Sequence, residues 1–198
     1  MTFRDIIKMV MVLTIASIVC GAGLAMVKMA TAEAVEDSIV KNIKGPALEM
    51  ILSGYDNDPT KDRKKIVTGK DKKGKDIETT IFYAKKGGKL IAVALEAYGN
   101  GYGGPIGVVM SIKQPDEVLG AIAATTNSET PSVGGIVMAG QELKGQYEGQ
   151  PADSNFGLNS AGGIINAVSG ATMSSTGVST AVKNGMEIYK KYKSDILG

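Results

Sequence analysis

Three kinds of hydrophobic spacing follow one another along the chain, and each predicts a different element. Met9 to Val27 is a run of 19 residues without a charge, bounded by Lys8 and Lys28. An uncharged helix of that length spans a hydrocarbon layer of about 30 Å. From Ala30 to Ser53 the apolar residues Val35, Ile39, Val40, Ile43 and Ala47 recur at helical spacing, with Pro46 placed to kink or split the helix. Asp56 to Asp76 is polar and lysine-rich with acids interspersed, which reads as a solvated loop. Strand-like runs follow at Ile77–Lys85 and Lys89–Ala97, joined across Lys86-Gly87-Gly88 as a hairpin, and again at Val108–Ile112 and Val118–Thr126. Residues 135–149 suggest a short helix over the sheet, and 153–161 a polar loop. Val178, Ala181, Val182, Gly185, Met186 and Tyr189 then mark the apolar face of a last helix. The pattern as a whole predicts an α+β body with a mainly antiparallel sheet and flanking helices behind a single transmembrane helix. Its segments are a cytoplasmic 1–8, a transmembrane 9–28, a stalk helix 29–54 and a body 55–198.

Composition narrows the chemistry. The chain has 198 residues, no histidine and one cysteine, Cys20, which lies inside the apolar run. The commonest general base and metal ligand is therefore absent, and no Cys–His pair, Ser–His triad or Cys/His metal cluster can be assembled. Catalytic and metal-binding residues are assigned to none. Any reactivity is expected to come from an added cofactor. The formal charge is +2. Without Arg4, Asp5, Lys8 and Lys28 the remainder carries 19 basic and 19 acidic residues, so it lacks the basic excess of a nucleic-acid binder. Arg4 and Lys8 before the apolar run favour an inside N-terminus and an outside body. Ala30-Thr31-Ala32 also resembles a signal-peptide cleavage site, but the run exceeds the usual apolar region of about 7–15 residues, so a retained anchor is preferred.

The candidate chemistry gathers at Ser169-Gly170-Ala171-Thr172. It follows the apolar stretch 164–168 and precedes the last helix, with Ser174, Ser175 and Thr176 as possible N-caps. Thr172 is thus expected on a loop at a helix N-terminus, where backbone N–H groups and the helix dipole suit a phosphate. The same four residues could equally form an ordinary strand-to-helix turn. A second glycine-rich stretch, Gly101-Tyr102-Gly103-Gly104-Pro105-Ile106, lacks the Gly-x-x-x-x-Gly-Lys pattern and reads by itself as a tight connection between strands. A third, Glu129-Thr130-Pro131, reads by itself as a helix-entry turn.

Together and in this order, these three motifs resemble the RnfG/NqrC family of covalent-FMN electron-transport subunits, and the Gly-Tyr-Gly-Gly-Pro-Ile form is nearest to RnfG. The resemblance covers the body from about Ile77 onward. It implies FMN joined through a phosphoester to Thr172, with Ser169, Gly170, Ala171 and Ser175 around the attachment point. Glu129, Thr130 and Val133 would border the ring, and Tyr102 and Gly103 would shape the site. The sequence departs from the family pattern in two places. Asn166 stands six positions before Thr172 where the family has an acid, and Ser132-Val133-Gly134 stands where the family has Gly-Leu-Gly.

The resemblance further implies a single-pass protein of the inner cell membrane, its C-terminal domain outside the cytoplasm, matured by a Mg-dependent flavin transferase. It would carry electrons within an Rnf-type complex whose other membrane subunits are its partners, coupling electron flow between ferredoxin and NAD to ion translocation. Two other readings stay open: a stand-alone membrane-anchored flavin shuttle for extracellular electron transfer, and an unflavinylated extracytoplasmic binding or structural module.

Overall fold

A computed structural model of the chain describes residues 3–70, 74–131 and 134–198. The chain divides into two compact units, Met1–Val40 and Lys41–Gly198. The first is a single helix, α1 (Phe3–Ile39), with no buried residue. At about 1.5 Å per residue it is longer than a bilayer core requires. It begins the stretch Phe3–Ile51, which by length and composition could cross a membrane.

One wide turn of π-helix, Val40–Lys44, comes next, and then α2 (Gly45–Ile51), with Pro46 in the first turn of α2. Proline is tolerated there because the first-turn N–H has no helical partner to lose. The break expected at Pro46 takes the form of the π turn just before it.

Five strands follow: β1 (Arg63–Lys70), β2 (Asp76–Lys86), β3 (Lys89–Asn100), β4 (Pro105–Lys113) and β5 (Val118–Thr126). They pair in sequence order as an antiparallel meander. The β2–β3 connection is a two-residue turn in which Gly87 and Gly88 have φ of 55° and 78°. That is the backbone a type I′ hairpin turn needs and glycine supplies at little cost. Strand β1 corrects the expectation of a solvated loop over 56–76. Its residues 63–65 are all basic and only Ile66 is buried, so no alternating pattern marks it. It exists because β2 offers an edge to pair with, and its lysines suit an outer strand.

Helices cover both faces of the sheet. Val93, Leu95 and Ala97 of β3 point into a core shared with α5 (Thr172–Lys191), which supplies Val178, Ala181, Val182, Met186 and Tyr189. On the other face Ser111 Oγ donates to the carbonyl of Ile51 at 3.0 Å, and α2 packs on β4 and β5. The single short helix expected over 135–149 is instead two pieces, α3 (Gly134–Ala139) and α4 (Gln141–Lys144), separated at Gly140. A 3-10 turn at Asn159–Ala161 leads toward α5, and α6 (Lys193–Leu197) closes the chain.

Candidate functional site

The carboxylate of Glu129 holds the site together. It is only 8% exposed. Oε1 accepts the Gly103 N–H at 2.9 Å, and Oε2 accepts the Ser174 hydroxyl at 2.5 Å. These partners come from the β3–β4 connection and from the first turn of α5, so one side chain ties together three segments far apart in sequence. Glycines make room for it. A Cβ built on Gly101 would strike Oε1, and one built on Gly134 would strike Oε2. A buried carboxylate is costly unless hydrogen-bonded, and this one is held by two donors.

The tetrapeptide before α5 forms a tight turn. Ala171 N–H donates to the Val168 carbonyl at 3.0 Å, and Gly170 between them has φ of 77°. A type II turn requires positive φ at that position, which glycine allows. Val168 N–H donates in turn to Ser175 Oγ at 3.1 Å. Ser175 is fully buried and acts on the turn from beneath. Helix α5 begins at Thr172, so this threonine is the first helical residue and not part of the preceding loop as expected. The N-cap is Ala171, with no side-chain cap bond. Ser174 and Ser175 are not caps, because the turn and Glu129 engage their hydroxyls. Thr176 Oγ1 bonds back to the Thr172 carbonyl at 2.8 Å.

An open cavity of about 440 Å³ lies against this assembly. Tyr102, Glu129, Thr130 and Gly134 form one side, and the stretch Gly170 to Ser174 forms the other. Thr172 and Tyr102 are exposed, Tyr102 at 78%. Of the expected site residues, Glu129, Thr130, Tyr102, Gly170, Ala171 and Thr172 thus meet at one cavity. Gly103 stands behind it, bound to Glu129. Ser169 is exposed but does not line the cavity, and Ser175 lies below the turn. Val133 is outside the described residues. Ser174 was not among the expected site residues. Its only sequence signal was the hydroxyl cluster after Thr172, which does not distinguish a cap from a carboxylate partner.

Residues 101–187 match the family model described as FMN-binding domain, a span that begins at the glycine-rich connection and ends in α5. The chain is also similar to a component of the ion-translocating oxidoreductase complex of Cereibacter sphaeroides, 26% identical over 148 residues, covering 72% of this chain and 65% of that protein. It is 30% identical over 108 residues to a component of the proton-translocating ferredoxin:NAD(+) oxidoreductase complex of Clostridium ljungdahlii, covering 54% and 57%. The chain thus spans about 65% of the length of the Cereibacter relative. Its fold matches the crystal structure of NqrC from Shewanella oneidensis with a TM-score of 0.50 at 20% identity, over 66% of this chain and 69% of that one. The resemblance to the RnfG/NqrC family drawn from the three motifs is borne out.

The residues lining this cavity fit an FMN. Among the described residues that line it, no side chain but those of Glu129 and Tyr102 is ionisable. A phosphate placed near Thr172 would find no lysine or arginine among the lining residues. It would instead meet the N–H groups of the first turn of α5, which have no intrahelical acceptors, at the positive end of a 20-residue helix. The Asn166 backbone is fixed on both sides by Gln146, whose Oε1 accepts the Asn166 N–H at 2.7 Å and whose Nε2 donates to the Asn166 carbonyl at 3.1 Å. The Asn166 side-chain oxygen accepts from Asn159 Nδ2 at 3.2 Å.

Proposed function

We propose that this protein is an electron-transfer subunit of an Rnf-type ion-translocating complex, carrying FMN in phosphoester linkage to Thr172. The observation that carries this reading is the exposed Thr172 at the first position of α5, beside a cavity walled by the two other motifs. Bound FMN supplies the redox chemistry that the side chains lack. The protein's own residues do the rest. The α5 N-terminus stabilises the phosphodiester charge, Gly170 keeps the approach to Thr172 open, and Glu129 holds the Tyr102 connection and the start of α5 in fixed relation. A threonine hydroxyl is a weak nucleophile at neutral pH, so attachment requires an activating flavin transferase. Thr172 is then an anchor and takes no part in electron transfer itself. The segment 9–28 would fix the protein in the inner membrane with its body on the extracytoplasmic side, where a covalent bond prevents loss of the cofactor. Partners are the other membrane subunits of the complex, and the coupled reaction is electron flow between ferredoxin and NAD.

The test is peptide mass spectrometry across residues 166–183 on protein produced together with a flavin transferase. FMN mass on Thr172 is expected, and Thr172→Ala should remove it while leaving the fold intact, because an exposed hydroxyl contributes little to stability. An unmodified Thr172 in coloured, electron-transferring native material would overturn the attachment. Native complex that purifies with every other component but not with this chain would overturn the assignment to an Rnf-type assembly.

A further inference from the structure

The stretch that leads into Thr172 is exposed and yet held in place. Ile164 and Asn166 are exposed with Ile165 buried between them, the alternation of an extended strand. Ile165 forms an isolated parallel bridge with Leu158. Its N–H donates to the Gly157 carbonyl at 3.1 Å, and its carbonyl accepts the Asn159 N–H at 2.7 Å. At Asn166 a side chain takes over from that bridge. Gln146 Oε1 accepts the Asn166 N–H at 2.7 Å, and Gln146 Nε2 donates to the Asn166 carbonyl at 3.1 Å. One carboxamide thus makes both bonds that a residue of a neighbouring antiparallel strand would make. Nε2 also donates to the Glu142 carbonyl at 2.9 Å, so both of its hydrogens are used.

Gln146 is itself referenced to helix α5. It stands in the turn after α4, and the next residue, Tyr147, is fully buried and shares a hydrogen bond with Ser179 Oγ at 3.0 Å. Ser179 lies two turns beyond Thr172 on the same helix. Closer to Thr172, Val168 N–H donates to Ser175 Oγ at 3.1 Å. Both attachments of the lead-in therefore run back to the helix that Thr172 begins. An unpinned segment would have to be ordered by whatever protein binds it, at a cost in conformational entropy.

We propose that Gln146 is a positioning residue for modification of Thr172, holding residues 164–168 as a preformed strip that the flavin transferase binds. This inference rests on FMN attachment to Thr172 and adds a residue that sets how readily attachment occurs. In that step Thr172 Oγ1 attacks the flavin-side phosphorus of FAD. The Oγ1–P bond forms and the pyrophosphate P–O bond breaks. AMP leaves with the electron pair, and the hydroxyl proton passes to a base of the transferase. Gln146 does not line the cavity beside Thr172 and touches none of these atoms. It keeps the binding conformation populated; where only a fraction of the chain is competent, apparent affinity is reduced by that fraction.

The test uses the full chain, produced without transferase, held in detergent and then incubated with purified transferase, FAD and Mg²⁺. Initial rates of flavin mass gain are measured against chain concentration for the wild type and Gln146→Ala. The variant should show an apparent KM about tenfold higher with kcat within about twofold. Before loading, its Asn166 amide should exchange about tenfold faster, while its thermal midpoint stays within about 2 °C of the wild type. A wild-type chain that gains no flavin would overturn the attachment and this role with it. A wild type that loads, beside a variant that loads with the same KM, would overturn the positioning role alone. So would a loss confined to kcat, which belongs to the chemical step, or a raised KM with unchanged Asn166 exchange, which would make Gln146 a direct contact of the transferase. A raised KM accompanied by a large fall in the midpoint would also overturn it, as general destabilisation.

Discussion

Glu129 shows how a single side chain can join motifs that are separate in sequence. Its two oxygens engage Gly103 and Ser174, and the glycines at 101 and 134 exist in part to accommodate it. Hydrogen bonds to a charged group contribute about 1.5–3 kcal/mol each, and removing the carboxylate leaves the Ser174 hydroxyl buried without an acceptor. Glu129→Ala is expected to lower unfolding free energy by about 2–4 kcal/mol in denaturant titration. It should also reduce FMN occupancy at Thr172, read by mass. Glu129→Gln keeps one acceptor and adds a donor, so it should recover part of the stability. If Glu129→Ala left both stability and occupancy unchanged, the carboxylate would have no organising role. Nothing in Glu129-Thr130-Pro131 as a string announces the burial of its acid; the sequence suggests a helix-entry turn, and only the arrival of two donors explains the residue.

At the scale of elements, α5 lies against the end of β3 unusually closely, and glycines permit it. A Cβ on Gly99 would strike the Gly177 carbonyl oxygen. A Cβ on Gly177 would stand 2.8 Å from Ile106 Cδ1, 2.9 Å from Gly101 N and 3.0 Å from the Asn100 carbonyl oxygen. Two of those neighbours are backbone and cannot turn aside. Overpacking costs about 1–3 kcal/mol, against which alanine gains up to about 1 kcal/mol of helix propensity. Gly177→Ala is therefore expected to be destabilising by about 1–2 kcal/mol net, lowering the thermal midpoint by several degrees in a calorimeter. The same substitution should push the Gly101–Gly104 connection outward and, combined with Thr172→Ala, weaken the non-covalent retention of FMN. An unchanged or raised midpoint would mean that the helix can slide away freely. The strands β2 to β5 and helix α5 were legible from their spacing. Strand β1 was not, because an outer strand held by backbone pairing needs little apolar pattern of its own.

For the molecule as a whole, buried phenols set an alkaline limit on stability. Tyr147 is fully buried against Phe156, with ring centroids 6.1 Å apart, and shares a hydrogen bond with Ser179 Oγ at 3.0 Å. Burial pushes its pKa from 10.0 up to about 12, with the Ser179 bond acting in the opposite direction. The neutral form is thus favoured by the fold. Its contribution is complete below about pH 10 and declines as pH rises through 12, since over that window the unfolded chain releases a proton that the folded chain retains. Denaturant midpoints measured from about pH 9 to 12 should fall across this range. Tyr147→Phe should flatten part of the decline, and an identical profile would assign the alkaline limit to the other tyrosines whose phenols burial also raises, Tyr189, Tyr98 and Tyr83.

The sequence by itself determined the apolar N-terminal segment, the antiparallel strands from 77 to 126, helix α5 and the three motifs in order, because each is written in local spacing or in residues that only one backbone shape accepts. It also determined that imidazole and thiol chemistry are absent from the body, since composition alone decides that. The tertiary structure decided the rest. It converted Ser174 from a cap into a partner of Glu129 and added β1 to the sheet. Both depend on which groups meet across long separations in the chain, and a hydrogen bond between residues 45 positions apart leaves no periodic trace in the string of letters.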